Sequence, residues 1–270
     1  MNNLTEEKNI DCALLLDTAM LAAVIILESG GETFRAEETA YRICVAAGKS
    51  ETEVLAFPTG IIISFNDNEG RKMSSVRRIK NRSFNLFRVE RANFFSRSFD
   101  DGKLSLCELN EKLTSLKNSI VSKKSFICVS AGISSAMFTL LFEPKLSFSV
   151  IFDVFVTFIC AFFIQYLCVG TRLKNTYQFT LTFISSMVIA SLSVLFTHIF
   201  GIGNLDYIII GAITPLLPGI SLTNAIRDTV TGDIISGTAR LAETLLIAIA
   251  IAGGIGIVLA GYVNFAGGVL

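Results

Sequence analysis

The amino-acid sequence predicts an α-helical polytopic membrane protein, with about five transmembrane helices of which one is broken, and an N-terminal cytoplasmic α+β domain. The mean hydropathy of the 270-residue chain is +0.60 and only 17% of its residues are charged, a composition too apolar for an ordinary soluble protein. Charge is also unevenly placed, since 18 of the 23 Lys and Arg residues and 17 of the 23 Asp and Glu residues precede residue 126. We therefore predict two domains, a cytoplasmic α+β domain over 1–122 and a transmembrane domain over 123–270.

Helical and strand patterns alternate in the first domain. The apolar run 13–27 predicts a helix that ends at a Ser-Gly-Gly turn, and residues 32–47 predict a second helix. The apolar face of that second helix consists of Phe34, Tyr41 and Val45. Residues 53–79 contain β-branched and aromatic runs separated by two turn patterns, which predicts about three antiparallel strands. Helical spacing then returns in 84–95 and 104–116, across an Asp-Asp-Gly connection.

Apolar stretches long enough to cross about 30 Å of hydrocarbon follow in the second domain. The four complete ones are Phe126 to Phe142, Leu146 to Val169, Phe179 to Phe200 and Leu241 to Val263. A fifth, Tyr207 to Leu217, is too short alone, but apolar residues resume after it, so we predict a broken helix.

The basic residues near these stretches predict the orientation of the chain. Lys123, Lys124, Arg172, Lys174, Arg227 and Arg240 fall on one side, whereas the opposite loops contain only Lys145. By the positive-inside rule the basic side is cytoplasmic. We expect a multi-pass protein of the cell (inner) membrane, with the N-terminal domain in the cytoplasm and the C-terminus outside.

Polar residues inside the apolar stretches are candidates for function or packing. Asp153 lies within the second stretch, where a carboxylate is costly and marks either a pathway or an interfacial group that reaches water. A polar stripe in the third stretch is expected to face protein or water; its members are Thr182, Ser186, Ser193 and Thr197. A ridge of small residues in the last stretch predicts close packing with a helix of this chain or another; its members are Thr244, Ala248, Ala252, Gly256 and Ala260.

The segment after Tyr207 to Leu217 combines helix breakers with charges. Pro215, Pro218 and Gly219 leave backbone groups without helical partners, which is tolerated at membrane depth only beside protein or a water-filled cavity. Discontinuous helices of this kind form the binding sites of many transporters. The alternative is a cytoplasmic loop in which the charges form ordinary ion pairs.

Polar side chains cluster after the break. Asn224, Arg227 and Asp228 share one helical face by their spacing, and Arg240 and Glu243 lie one turn apart at the start of the last stretch. A guanidinium is well shaped to hold a substrate carboxylate, so Arg227 is the candidate for that role. Thr223 and Asn224 would position the substrate, and Asp228, Glu243 or Asp153 would couple transport to an ion or proton.

Three stretches of the sequence resemble the threonine/serine exporter (ThrE-like) family. The stretch PGISLTNAIRDTVTGDIISGTARLAE is similar to a family signature, SGGETFRAEETAYRI resembles its N-terminal helix motif, and FPTGIIISF resembles its strand-turn-strand. The signature positions here are Pro218, Gly219, Thr223, Asn224, Arg227, Asp228, Gly232, Asp233, Arg240 and Glu243. The chain lacks the second membrane region of full-length members and so resembles the split, YjjP-like type.

The resemblance implies a subunit of a secondary exporter that pairs with a small integral-membrane partner subunit, YjjB-like, as an oligomer in membrane lipid. Its substrate would be a small carboxylate metabolite, either threonine or serine or a dicarboxylate such as succinate. We expect proton-driven export and no enzyme activity, cofactor, metal or nucleic-acid partner. Two alternatives stay open, a membrane-anchored hydrolase and a non-transporting membrane scaffold. For the hydrolase we find no nucleophile and base pair, and we interpret Glu32, Arg35, Glu38 and Arg42 as a solvated helix face.

Overall fold

A computed structural model of the chain describes residues 11–80, 82–119, 123–142, 147–170 and 178–266. Its elements follow in this order: α1 Cys12–Glu28, α2 Thr33–Ala46, β1 Glu53–Phe57, β2 Gly60–Asn66, β3 Lys72–Arg78, α3 Leu86–Asp100, α4 Leu106–Asn118, α5 Lys124–Thr139, α6 Phe148–Gly170, α7 Gln178–Phe200, α8 Leu205–Ile213, a 3-10 turn Thr214–Leu216, α9 Gly219–Val230 and α10 Ile234–Ala266.

The chain divides into two compact units. The first contains residues 1–121 together with 220–241, and the second contains 122–219 and 242–270. The domain boundaries 1–122 and 123–270 stay a prediction. The two units differ from the predicted domains in the placement of residues 220–241. This segment packs in the first unit, although in the sequence it lies among the predicted membrane stretches.

Helix α1 is the centre of the first unit. It is apolar on all sides, and between Leu15 and Leu27 every residue except Asp17 and Leu21 is buried. The three strands form an antiparallel sheet in the order β1-β2-β3, as the sequence predicts. One sheet face, formed by Ala56, Ile61, Ile63 and Phe65, is buried in the same core.

Helix α2 buries a different face from the one predicted. Its buried residues include Ala36, Ala40 and Ile43, whereas Tyr41 and Val45 are exposed. The buried face thus carries small side chains, which pack into the core of the first unit together with residues of α1 and the sheet.

In the part of the chain that the structure describes, three helices are long and apolar enough to cross a membrane: α6, α7 and α10. Among the described residues there is a fourth candidate if α8 and α9 are taken as one span interrupted at Leu217 and Pro218. The predicted span 126–142 corresponds to α5, whose 16 residues reach only about 24 Å, so a fifth crossing stays a prediction. Lys145, Arg172 and Lys174, on which the predicted orientation partly depends, lie outside the described residues.

The second unit confirms the polar stripe of α7 as a packing surface. Thr182, Ser186 and Ser193 are buried, and Ser186 Oγ donates to the carbonyl oxygen of Ala250 in α10 at 3.4 Å. The small-residue ridge of α10 takes no part in this contact with α7. Beyond Thr244 its members are exposed, and α10 instead packs through Gly254, where an added Cβ would be 2.6 Å from the Phe183 carbonyl oxygen.

Candidate functional site

The candidate site lies in the first unit and begins at the C-terminus of α1. The amide of Gly30 donates to Leu27 O at 3.2 Å and that of Gly31 to Ile26 O at 2.9 Å, the two hydrogen bonds of a Schellman motif. Gly30 has φ +77°, a conformation that side chains disfavour. The motif uses the two amides and leaves the carbonyl oxygens of both glycines available to other segments.

Helix α9 and the start of α10 donate to these carbonyl oxygens. Asn224 Nδ2 donates to Gly30 O at 2.9 Å, and Arg240 Nη2 donates to Gly31 O at 2.8 Å. Asn224 is 7% exposed and Arg240 is 4% exposed, so both hydrogen bonds form away from solvent. Two signature residues therefore bind the glycine turn that follows α1.

Asp228 and Arg240 form a buried ion pair. Arg240 Nε lies 3.1 Å from Asp228 Oδ2, and the side chains are 5% and 0% exposed. The carboxylate also faces the amide and hydroxyl of Thr33, the first residue of α2. A helix N-terminus favours negative charge, so α2 and Arg240 together stabilise the carboxylate.

Glu32 joins the site through two arginines. It is the N-cap residue of α2 and is 7% exposed. One carboxylate oxygen pairs with Nη1 of Arg227 and the other with Nε of Arg35. We call these three residues the Glu32 cluster. Because two guanidinium groups share one carboxylate, the cluster has one positive charge in excess.

A cavity of about 310 Å³ adjoins the Glu32 cluster. Its polar wall comprises Glu32, Arg35, Glu90, Asn93 and Asn224 together with the glycine turn, and its apolar wall comprises Leu86, Val89 and Ile220. The volume is at the lower end of the range of about 300–1,000 Å³ for small-molecule sites. All lining residues belong to the first unit.

The structure thus brings together four of the residues that the sequence predicts as site residues: Asn224, Arg227, Asp228 and Arg240. Thr223 is on the same helix but exposed. Arg227, the candidate for binding a substrate carboxylate, is paired with the carboxylate of Glu32.

The interpretation of Glu32 as part of a solvated helix face is wrong, because its carboxylate is buried against α9. The motif SGGETFRAEE contained Glu32, but its spacing alone gave no indication of a partner 195 residues away.

The other predicted site residues belong to the second unit. Pro215 is in the 3-10 turn, Pro218 and Gly219 mark the start of α9, and Glu243 is in α10. Asp153 is 1% exposed, and its carboxylate accepts from the amide of Asn204 at 3.0 Å and 3.2 Å. Asp153 is therefore a buried group that holds the loop before α8, not a side chain that reaches water.

Sequence comparison identifies the family of the chain. No curated protein and no solved structure matches it. A family model does match, over residues 17–262, which include both the glycine turn and the segments of α9 and α10 that bind it. This match covers most of the chain, so the protein belongs to the ThrE family, whose description is "Putative threonine/serine exporter".

Proposed function

We propose that this chain is a subunit of a secondary exporter that moves a small carboxylate metabolite across the cell (inner) membrane. The observation that supports this most directly is the Glu32 cluster, in which a buried carboxylate of the chain itself is held by Arg35 and Arg227 beside a cavity. A guanidinium that binds one carboxylate by its planar fork can bind another of the same shape. A substrate carboxylate would replace Glu32 on Arg227.

The excess positive charge makes this exchange feasible. Arg227 is half-exposed, with 49% of its side chain accessible, so an incoming carboxylate can approach it while Glu32 stays paired with Arg35. Arg227 is not itself among the residues that line the cavity; it adjoins the cavity through Glu32, which is one of them. Asn224 and Asn93 line the cavity and offer amide groups to a hydroxyl or a second polar group of the substrate. Leu86, Val89 and Ile220 provide the apolar wall against which a methyl or methylene group packs.

Glu90 favours an amino acid over a dicarboxylate as the substrate. Its carboxylate lines the cavity on the α3 side, where it would attract an ammonium group and repel a second carboxylate. Threonine and serine combine a carboxylate, an ammonium group and a hydroxyl, which match Arg227, Glu90 and the two asparagines. We therefore propose threonine or serine before succinate.

The partner subunit is also part of the proposal. The exposed residues Ala248, Ala252, Gly256 and Ala260 lie at four-residue intervals on α10, and such a ridge lets a second helix approach closely. We propose that a small integral-membrane subunit packs there. In the proposed orientation the first unit is cytoplasmic, so the cavity collects substrate from the cell interior.

Efflux measurements test the proposal. Cells that express the chain alone, or together with a candidate small integral-membrane partner, are loaded with labelled threonine or succinate, and the efflux rate is measured. Arg227→Ala is expected to lower threonine efflux about tenfold, because a charge-assisted hydrogen bond contributes about 1.5–3 kcal/mol. Arg71→Ala is the matched control, since Arg71 forms a comparable exposed ion pair within the β2–β3 turn. Equal efflux from both variants would refute the assignment of Arg227.

A further inference from the structure

The outward side of α3 consists of aromatic rings. Phe87 and Phe94 are seven residues apart, which places them on one side of the helix, and they are 50% and 55% exposed. The opposite side is filled by the buried residues Val89, Ala92 and Ser96. The two exposed rings therefore add nothing to the core of the first unit.

Two cations lie on the rings of α3, which include the partly buried Phe95. The guanidinium of Arg91 is 6.0, 5.4 and 5.2 Å from the ring centroids of Phe87, Phe94 and Phe95. From α4, the ammonium of Lys112 lies 5.8 Å from the centroid of Phe95. We call these five residues the aromatic-cationic face. Ring faces stabilise the cations but leave the charges available to an anion.

The charge of the neighbouring chain favours an anionic partner. Between Lys72 and Val89 the sequence contains no Asp or Glu, and it contains Arg77, Arg78, Lys80 and Arg82 just before α3. The first carboxylate after this segment is Glu90, which is exposed on α3 and lines the cavity. Phe84 and Leu86, at the start of the helix, are exposed as well. Exposed rings and basic side chains thus occur in the same part of the first unit.

We propose that the aromatic-cationic face binds the headgroup layer of a phospholipid bilayer, with the rings at the level of the interface and Arg91 and Lys112 on anionic phosphates. Aromatic and long basic side chains are the residues that settle at this depth, because each combines an apolar body with a polar or charged part. The face is the outer surface of a helix and not a groove, which suits a flat layer better than an inserted peptide. The chain also contains helices that are long and apolar enough to cross a bilayer. The proposal does not depend on the substrate.

A single introduced tryptophan tests the proposal, because the natural sequence has none. Phe94→Trp and Phe87→Trp place an indole on the face, and Tyr41→Trp is the matched control, since Tyr41 is a similarly exposed aromatic residue on α2. The full-length chain is reconstituted into liposomes of zwitterionic or anionic phospholipid, which contain no other protein. Quenching of fluorescence is measured with brominated phospholipid and with aqueous iodide.

We expect brominated lipid to quench the Phe94→Trp and Phe87→Trp variants at least roughly threefold more than the Tyr41→Trp control, and iodide to show the reverse order. Adding Arg91→Gln and Lys112→Gln to the Phe94→Trp variant is expected to remove the preference for anionic lipid. Adding Lys103→Gln instead is expected to leave that preference unchanged, because Lys103 belongs to an exposed ion pair with Asp101.

Two outcomes would overturn the proposal. In the first, iodide quenches all three tryptophan variants equally and brominated lipid quenches none of them. In the second, the indoles introduced on α3 are shielded from both quenchers, which would show that a protein and not a bilayer covers the face.

Discussion

Replacing Asp228 by Ala leaves the guanidinium of Arg240 buried without the carboxylate that neutralises it. The side chains of Arg240 and Asp228 are 5% and 0% exposed, so solvent cannot take the place of the lost charge. Removing one partner of such a pair costs about 3–5 kcal/mol. For a chain of this size that corresponds to a fall in Tm of roughly 6–20 °C. Arg240→Leu leaves the carboxylate of Asp228 buried without its positive partner. We expect it to lower the free energy of unfolding by a similar amount.

The double variant, which combines Asp228→Ala with Arg240→Leu, separates the effect of the ion pair from the effect of side-chain packing. When both charges are absent, neither is left buried alone. What is lost besides the ion pair is the hydrogen bond from Arg240 to Gly31 O, at about 1 kcal/mol, and the contact of Asp228 with the amide and hydroxyl of Thr33. The double variant should therefore be less destabilised than the sum of the two single variants by about 2 kcal/mol or more. Lys103→Ala is the control, because its pair with Asp101 is exposed and contributes at most about 1 kcal/mol.

Thiol labelling provides the assay. Cys44 is fully buried in the first unit, so its reaction with a thiol-reactive fluorophore during heating reports the opening of that unit. Burial raises the pKa of this thiol to about 12, which further suppresses its reaction in the folded protein. Mass spectrometry of the labelled peptide distinguishes Cys44 from the other cysteines. The reasoning is refuted if the single variants resemble Lys103→Ala, or if the effects of the two single variants add in the double variant.

Three further predictions concern the same unit. At Gly237 in α10 an added Cβ would be 2.9 Å from Ala225 O in α9, so Gly237→Ala should cost about 1–3 kcal/mol, whereas Gly261→Ala in the same helix, with open space around it, should not lower Tm. Burial, aided by the charges of Asp233 and Asp228, raises the pKa of Glu37. The folded protein then holds this proton more tightly than the unfolded chain, so Glu37 contributes a stability that increases as the pH falls through its folded pKa and is lost at higher pH. Glu37→Gln keeps the acceptor for the Ala56 amide and should raise Tm at neutral pH while flattening its pH dependence. A Tm profile that is unchanged above the ordinary glutamate pKa of 4.5 would contradict this. Glu32→Gln should lower the half-saturating threonine concentration for efflux about two- to fivefold, because the half-exposed Arg227 loses a competing carboxylate, and a raised concentration would show that Glu32 assists binding.

Residue spacing predicted one side of the site. Positions 224, 227 and 228 are three and four apart, and a helix places such residues on one face wherever it packs. Gly232 and Asp233 were signature positions as well, and they form the turn between α9 and α10: Gly232 has φ +97°, and Asp233 accepts from the amide of Ser236 at 3.1 Å. These features are local, so the sequence is sufficient to predict them.

The partners of that face could not be predicted from spacing. Glu32 and the glycine turn precede α9 by about 190 residues, and nothing local to either segment specifies their contact. The neighbour of the exposed ridge of α10 could not be predicted for the same reason. Four-residue spacing identifies a side of the helix but not the helix that covers it. In α2 the face that carries alanines is the buried one, although larger apolar residues lie opposite.

The glycine turn explains why these long-range contacts can be specific. The Schellman motif at the end of α1 fixes the backbone of Gly30 and Gly31, and with it the direction of their two carbonyl oxygens. Neither position has room for a side chain, because an added Cβ would lie 2.5 Å from Phe84 Cδ1 at Gly30 and 2.5 Å from Ile26 Cγ2 at Gly31. The two glycine carbonyl oxygens accept from Asn224 and Arg240 in the buried interior. The same turn places Glu32 at the start of α2, where it meets Arg227. A change of conformation at Gly30 would therefore displace all three contacts together, so the turn couples the cavity wall to α9 and α10.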